Sequence, residues 1–152
     1  VQTCALPICY RRIQTRNFVP VNKSWSWNRR DVSLRIPAGS DSAKRIEHRV
    51  ASADANPYLV LACILSGLHH GLTKKLSPTD QVSFDNTEGA DKTADPEMPK
   101  NMESALNRFQ ESKILSKYLG KEYLDLYVSA KEGEFEHMDN SFIPSEEYDF
   151  YL

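Results

Sequence analysis

Arg45-Ile46-Glu47-His48-Arg49 sets a carboxylate between two guanidiniums, each two residues from the next. In an extended strand alternate side chains share a face, so Arg45, Glu47 and Arg49 point one way while Ile46, His48 and Val50 turn back toward a core. Guanidinium forks match carboxylate and phosphate oxygens, and a carboxylate among them can help hold a divalent cation that bridges phosphates. Further arginines stand at Arg12, Arg30 and Arg35, each at a loop or strand position. Taken singly, each reads as a surface side chain lying over apolar neighbours, and alternation alone favours a solvated strand whose charges pair with one another. Taken together they favour an anion site, because converging guanidiniums repel unless an anion sits among them. Glu47 alone cannot bind Mg²⁺ tightly, so a metal reading requires ligands from elsewhere.

Other chemistry is poorly represented. His69 and His70 are adjacent and diverge by about 100° on a helix, and neither they nor His48 has a cysteine or acid at zinc-ligand spacing. There is no phosphate-binding glycine loop and no serine-hydrolase elbow. Cys4, Cys9 and Cys63 form no disulfide framework, which suits a reducing, cytoplasmic setting.

The elements that would position the arginines follow from the hydrophobic pattern. Residues 10–30 are aromatic and mixed, with Phe18, Trp25 and Trp27 around Pro20, and read as a long ordered loop. Val32, Leu34 and Ile36 alternate with Asp31, Ser33 and Arg35 as in a half-buried strand ended by Pro37. A turn-rich connector, Ala38 to Ser42, leads to the Arg45 strand as a hairpin with an extended loop or as a short crossover. Asn56 as N-cap and Pro57 at the first helical position open a buried apolar helix to about Leu76, with Lys74 and Lys75 in its last turn. Its apolar run, Tyr58 to Leu68, is too short to span a bilayer. Residues 77–100 show no hydrophobic period and read as a mobile surface excursion. Helices are expected over Met102–Phe109, over Ser112–Leu119 before Gly120, and over Glu122–Asn140, with a short last one from Pro144 to Tyr151. Leu106, Phe109, Leu115, Leu119, Tyr123, Leu124, Tyr127 and Val128 form their buried sides.

At 152 residues the chain can build one real core, and a net charge of −2 with a pI near 6.1 argues against bulk binding to nucleic acid or anionic membrane. Val1 to Cys9 carries no secretory signal and resembles the translation of a sequencing-adapter remnant, so native sequence is expected to begin near Tyr10.

Three stretches, Asn28-Arg29-Arg30-Asp31-Val32-Ser33-Leu34-Arg35-Ile36-Pro37, Arg45-Ile46-Glu47-His48-Arg49 and Asp54-Ala55-Asn56-Pro57-Tyr58-Leu59, resemble in order and spacing the C-terminal catalytic region of glutamine synthetases. The resemblance runs from Tyr10 to Leu152. It implies an α+β fold, a few antiparallel strands followed by several α-helices, divided into loop and site strands (10–55), the buried helix (56–76), the loop (77–100) and C-terminal helices (101–152). It also implies a ligase that phosphorylates the γ-carboxylate of glutamate with ATP, assisted by Mg²⁺ or Mn²⁺, and then lets an amine attack the acyl phosphate. By position, Arg12 and Arg49 resemble the clamps on glutamate, Arg30 and Arg35 the groups facing ATP phosphates and the transferred phosphoryl, with Arg30 catalytic. Arg45 lies beside the nucleotide and Glu47 resembles a metal ligand. A cytoplasmic homo-oligomer of stacked rings, and an upstream β-grasp domain with the remaining metal ligands, belong to the same expectation, so the 152 residues alone should be inactive.

One position departs from the ammonium-using pattern. Phe18 stands where glutamine-forming enzymes place a loop glutamate that takes a proton from ammonium, and an apolar group cannot serve as that base. The wording from Arg45 to Ala51 with Asp54-Ala55-Asn56 is similar to the γ-glutamylpolyamine synthetase branch. Putrescine or another alkylamine is therefore the expected acceptor, with Phe18 in the amine pocket. The alternatives are an ammonium-using glutamine synthetase, an anion- or nucleic-acid-binding module, and an inactive family member serving assembly.

Overall fold

The computed structural model describes Tyr10, Ile13 and residues 19–53, 55–82 and 95–141, without the side chains of 138–141. Three short strands, β1 (Trp25–Trp27), β2 (Leu34–Ile36) and β3 (Glu47–His48), precede four helices: α1 (Pro57–Lys74), α2 (Met102–Glu111), α3 (Lys113–Leu119) and α4 (Lys121–Ser141). The α+β class is as expected, but the sheet is mixed: β1 pairs with β2 in parallel and β2 with β3 antiparallel. Strand β1 lies inside what reads as an irregular loop, because three residues are too few to display a period.

A parallel pair ordinarily needs a long crossover. Here the strands are only three residues long, so the six residues 28–33 suffice to run back beside β1. Asn28, at φ 55, begins the reversal. Asparagine tolerates this left-handed backbone better than most residues. Its N–H donates to the Ile36 carbonyl at 3.0 Å and its Oδ1 accepts from the Ala38 N–H at 2.6 Å, which ties the loop to both sides of Pro37.

The β2–β3 connection is a hairpin with an extended loop that contains a 3₁₀ turn, Asp41–Ala43. The alternation around β2 is only half realised: Val32 and Ser33 are both buried while Leu34 is exposed. Ser33 lies inward because its hydroxyl donates to the Asn22 carbonyl. The excursion after α1 is fastened at both ends. Trp25 Nε1 donates to the Thr79 carbonyl at 2.7 Å, Ser26 Oγ to Val82 at 2.6 Å, and the Asp95 N–H to Val21 at 2.9 Å.

Asn56 caps α1 as its sequence implies, its Oδ1 accepting from the Tyr58 and Leu59 N–H groups at 3.0 and 3.3 Å, with Pro57 at N1. Asn56→Ala is expected to lower stability by about 1 kcal/mol. Chemical denaturation read by circular dichroism checks this, and an unmoved midpoint would show that the cap contributes nothing. Asn101 and Ser104 form a capping box on α2, Ser112 caps α3, and Gly120 at φ 87 separates α3 from α4. Cys63 of α1, Leu115 of α3 and fully buried Leu124 of α4 form one core cluster, edged by Phe109, Leu119 and Tyr123. Tyr10, Met102 and Ala105 form a second.

Helix α1 is not buried as its composition implies. Tyr58, Leu61, Leu65, Leu68 and Leu72 are exposed on it. The expected last helix, Pro144 to Tyr151, lies outside the described residues.

Candidate functional site

The antiparallel register sets Arg35 of β2 directly opposite Glu47 of β3, so their side chains leave the sheet on one face. Arg35 Nη1 donates to Glu47 Oε2 at 3.0 Å, and Arg45 Nη2 donates to Oε1 at 3.2 Å. Arg49 Nη1 stands 3.7 Å from Oε2. Three guanidiniums thus gather on one carboxylate, leaving a local excess of two positive charges. Partial withdrawal from water raises the Glu47 pKa, but the Arg35 hydrogen bond and the charges of Arg35 and Arg45 outweigh it and hold the carboxyl below its ordinary value. Arg35 Nε is buried and donates to no acceptor among the described residues. An anion with several oxygens is the chemical complement of this face.

Arg30 is exposed on the loop that returns from β1 to β2. That loop is held from within. Arg29 and Asp31 form a two-pronged ion pair, Arg29 Nε donating to Asp31 Oδ1 at 2.9 Å and Nη2 to Oδ2, with both side chains largely buried. The Arg29 hydrogen bond is the main reason that the Asp31 carboxyl lies below its usual range. From the far side, Arg49 Nε donates to the Arg30 carbonyl at 2.9 Å, and the Arg49 N–H donates to Ser33 at 3.0 Å. Arg49 therefore joins the Arg30 loop to the Glu47 cluster. Asn28, Arg29 and Asp31 are positioning residues that reading by charge alone passes over. Their signals were an asparagine that tolerates left-handed backbone and opposite charges two residues apart.

Of the side chains singled out in the sequence, Arg35, Arg45, Glu47 and Arg49 come together, and the backbone of Arg30 is bonded to them. Arg12 and Phe18 lie outside the described residues. Ile46, expected to face a core, is 63 % exposed. His48 is half-buried, and burial pushes its imidazole pKa down, which favours the neutral ring. A separate cleft of about 670 Å³ between Gln110 and Lys121 is lined by Lys113 and Lys117 and shares no residue with the arginine cluster.

Mg²⁺ takes oxygens in near-octahedral geometry. Glu47 offers one carboxylate whose two oxygens already meet arginines, and among the described residues no three His, Cys, Asp or Glu side chains group as metal ligands. The described residues do not by themselves make a site for Mg²⁺ or Mn²⁺. They suit the oxygens of a phosphate far better.

The model of the glutamine synthetase catalytic domain matches residues 2–151, beginning within the stretch read as an adapter remnant. The chain belongs to the glutamine synthetase family. Among curated relatives of this family, it is 41 % identical over 125 residues to γ-glutamylputrescine synthetase PuuA of Escherichia coli (strain K12), covering 82 % of the chain and 26 % of that protein. It is 33 % identical over 144 residues to glutamate–isopropylamine ligase of a Pseudomonas species, covering 94 % of the chain and 31 % of that protein. Identity to glutamine synthetase of Methanocaldococcus jannaschii is 32 % over 131 residues, covering 84 % of the chain and 29 % of that protein. The chain thus spans between about a quarter and a third of the length of these glutamine synthetase relatives. No helix among the described residues is long and apolar enough to cross a membrane.

Proposed function

We propose that the chain is part of an ATP-dependent ligase that joins the γ-carboxylate of glutamate to an alkylamine, putrescine or a similar polyamine. The observation that carries the reading is the gathering of Arg35, Arg45 and Arg49 on Glu47, with Arg49 also bonded to the loop of Arg30. In the first step a γ-carboxylate oxygen of glutamate attacks the terminal phosphorus of ATP and ADP departs. In the second the amine nitrogen attacks the γ-carbonyl carbon, phosphate departs and the nitrogen loses a proton.

Negative charge moves from the nucleotide to the acyl phosphate in this sequence. Fixed cationic donors aimed at that charge supply the electrostatic stabilisation on which phosphoryl transfer depends. Arg30 and Arg35 face the phosphates, Arg45 the nucleotide, and Arg12 and Arg49 hold glutamate. A divalent ion, Mg²⁺ or Mn²⁺, would neutralise phosphate charge when bound, with Glu47 as one ligand and the rest from chain outside the described residues. The assembly is a cytoplasmic homo-oligomer of stacked rings.

The names of two relatives favour an alkylamine acceptor: one carries putrescine and the other isopropylamine. Phe18 agrees, since an apolar side chain can pack on methylenes but cannot act as the base for ammonium. The likeness to glutamine synthetases favours ammonium as the second reading. Phosphate release by the full-length enzyme with glutamate and ATP distinguishes the two. Putrescine is expected to stimulate release at least tenfold over ammonium, and stimulation by ammonium alone would assign the enzyme to glutamine formation.

A further inference from the structure

Strand register sets one polar residue of each strand in a single row. Ser26 of β1 stands directly opposite Arg35 of β2, and Arg35 stands opposite Glu47 of β3, so the three side chains leave the sheet on one face. Neighbouring strands lie about 4.8 Å apart, and the Arg35 stem therefore rises between a hydroxyl and a carboxylate. Exposure climbs along the row: Ser26 is 0 % exposed, and the side chains of Arg35 and Glu47 are 18 and 28 % exposed.

β1 is an outer strand of the described sheet, so the sheet alone does not close Ser26 off. Residues 79–82 run along its free edge. The Val82 N–H donates to the Trp25 carbonyl at 3.1 Å, Ser26 Oγ to the Val82 carbonyl at 2.6 Å, and Trp25 Nε1 to the Thr79 carbonyl at 2.7 Å, while Gln81 Nε2 reaches Ser26 Oγ at 3.5 Å. Arg35 gives an independent sign. Its Nη1 is bonded to Glu47, yet its buried Nε donates to no acceptor among the described residues. A donor in that state bonds to water wherever water can reach it.

We propose that residues 79–82, pinned by Ser26, are a strap that positions Arg35 for a phosphate ligand. By closing the β1 end of the row, the strap keeps the Nε–H dry and free for an anion's oxygen. Ser26 is a positioning residue: it acts through Arg35 and touches no substrate. Without its hydroxyl the strap lifts, water bonds to Nε, and the guanidinium fork must shed that water before it can grip a phosphate. The inference rests on the reading of Arg35 as a phosphate-facing group, and not on which amine is the acceptor.

The test is a double-mutant cycle in the full-length enzyme, with magnesium pyrophosphate as the probe and titration calorimetry as the readout. Ser26→Ala is expected to raise the dissociation constant about fivefold, Ser26→Thr, which keeps the hydroxyl, to restore it within twofold, and Trp25→Phe, which frees Thr79, to weaken binding in the same direction. In an Arg35→Lys background, where no Nε exists, Ser26→Ala should change the constant less than 1.5-fold. Hydrogen exchange at the Val82 amide should quicken at least tenfold with Ser26→Ala in both backgrounds. Equal weakening in both backgrounds would reduce Ser26 to general support of the fold. Unaltered exchange, unaltered affinity beside quickened exchange, or no pyrophosphate binding by wild type would each overturn the strap. Phosphate release assayed on the same preparations separates this inference from the ligase reading: a coupled cycle without release under any amine removes the ligase alone, and release with an additive cycle removes the strap alone.

Discussion

Arg30→Ala in the full-length enzyme is expected to lower turnover by about 10²–10³-fold while the Michaelis constant for ATP changes little. Arg30 is exposed on a loop whose backbone is fixed on three sides, by Asn28, by the Arg29–Asp31 pair and by Arg49. These bonds hold the backbone that carries Arg30, and in the proposed reaction its guanidinium meets the charge that develops on the transferred phosphoryl. On that proposal its interaction strengthens from ground state to transition state, and deleting it should read out in turnover. Arg30→Lys should recover only part of the loss, since a point charge cannot reproduce the forked donor. Steady-state kinetics with saturating glutamate and amine makes the measurement. Unchanged turnover with a raised Michaelis constant would reduce Arg30 to a binding group.

Asp31→Ala should cost about 2 kcal/mol of stability, because it removes two charge-assisted hydrogen bonds from the largely buried Arg29 guanidinium. The same pair gives a pH dependence. The folded-state pKa of Asp31 is depressed, first by the Arg29 hydrogen bond, so its contribution is fully present above the ordinary aspartate value near ~4. It is lost as pH falls through the lower folded value. Glu47, depressed by the net effect of Arg35 and Arg45, acts in the same direction. Burial lowers the His48 pKa too, so stability also declines as pH falls below the ordinary histidine value of about 6.5. Urea denaturation across pH 3 to 8 should show wild type losing stability on acidification, with a shallower loss below pH 5 for Asp31→Ala. Parallel curves for the two proteins would remove the pair from the account.

Helix α1 shows where sequence reading succeeds and where it stops. Asn56, Pro57 and Lys74 mark its ends because capping is local chemistry, decided by side chains within a few residues of the backbone groups that they satisfy. Its burial is not local. An apolar run states that a helix needs cover but not whether the cover lies in the same stretch of chain, and in this structure one face is covered and the other is bare. Strand β3 teaches the same about charge. Alternation assigns Glu47 to the face of Arg45 and Arg49, whereas its shortest contact among the arginines is to Arg35, twelve residues away and brought opposite by the hairpin register.

By itself the sequence determined the family, the helix boundaries and which residue types could meet an anion. Those rest on short-range spacing, capping and an ordered set of motifs that survives without coordinates. Only the tertiary structure decided that β1 and β2 run parallel, that Arg29 is tied to Asp31 beneath Arg30, and that three guanidiniums share Glu47. The physical reason is common to all three. Each depends on which segments lie beside one another and in what register, and cross-strand pairing is fixed by the closure of loops and the burial of a shared face rather than by any property of the paired residues alone.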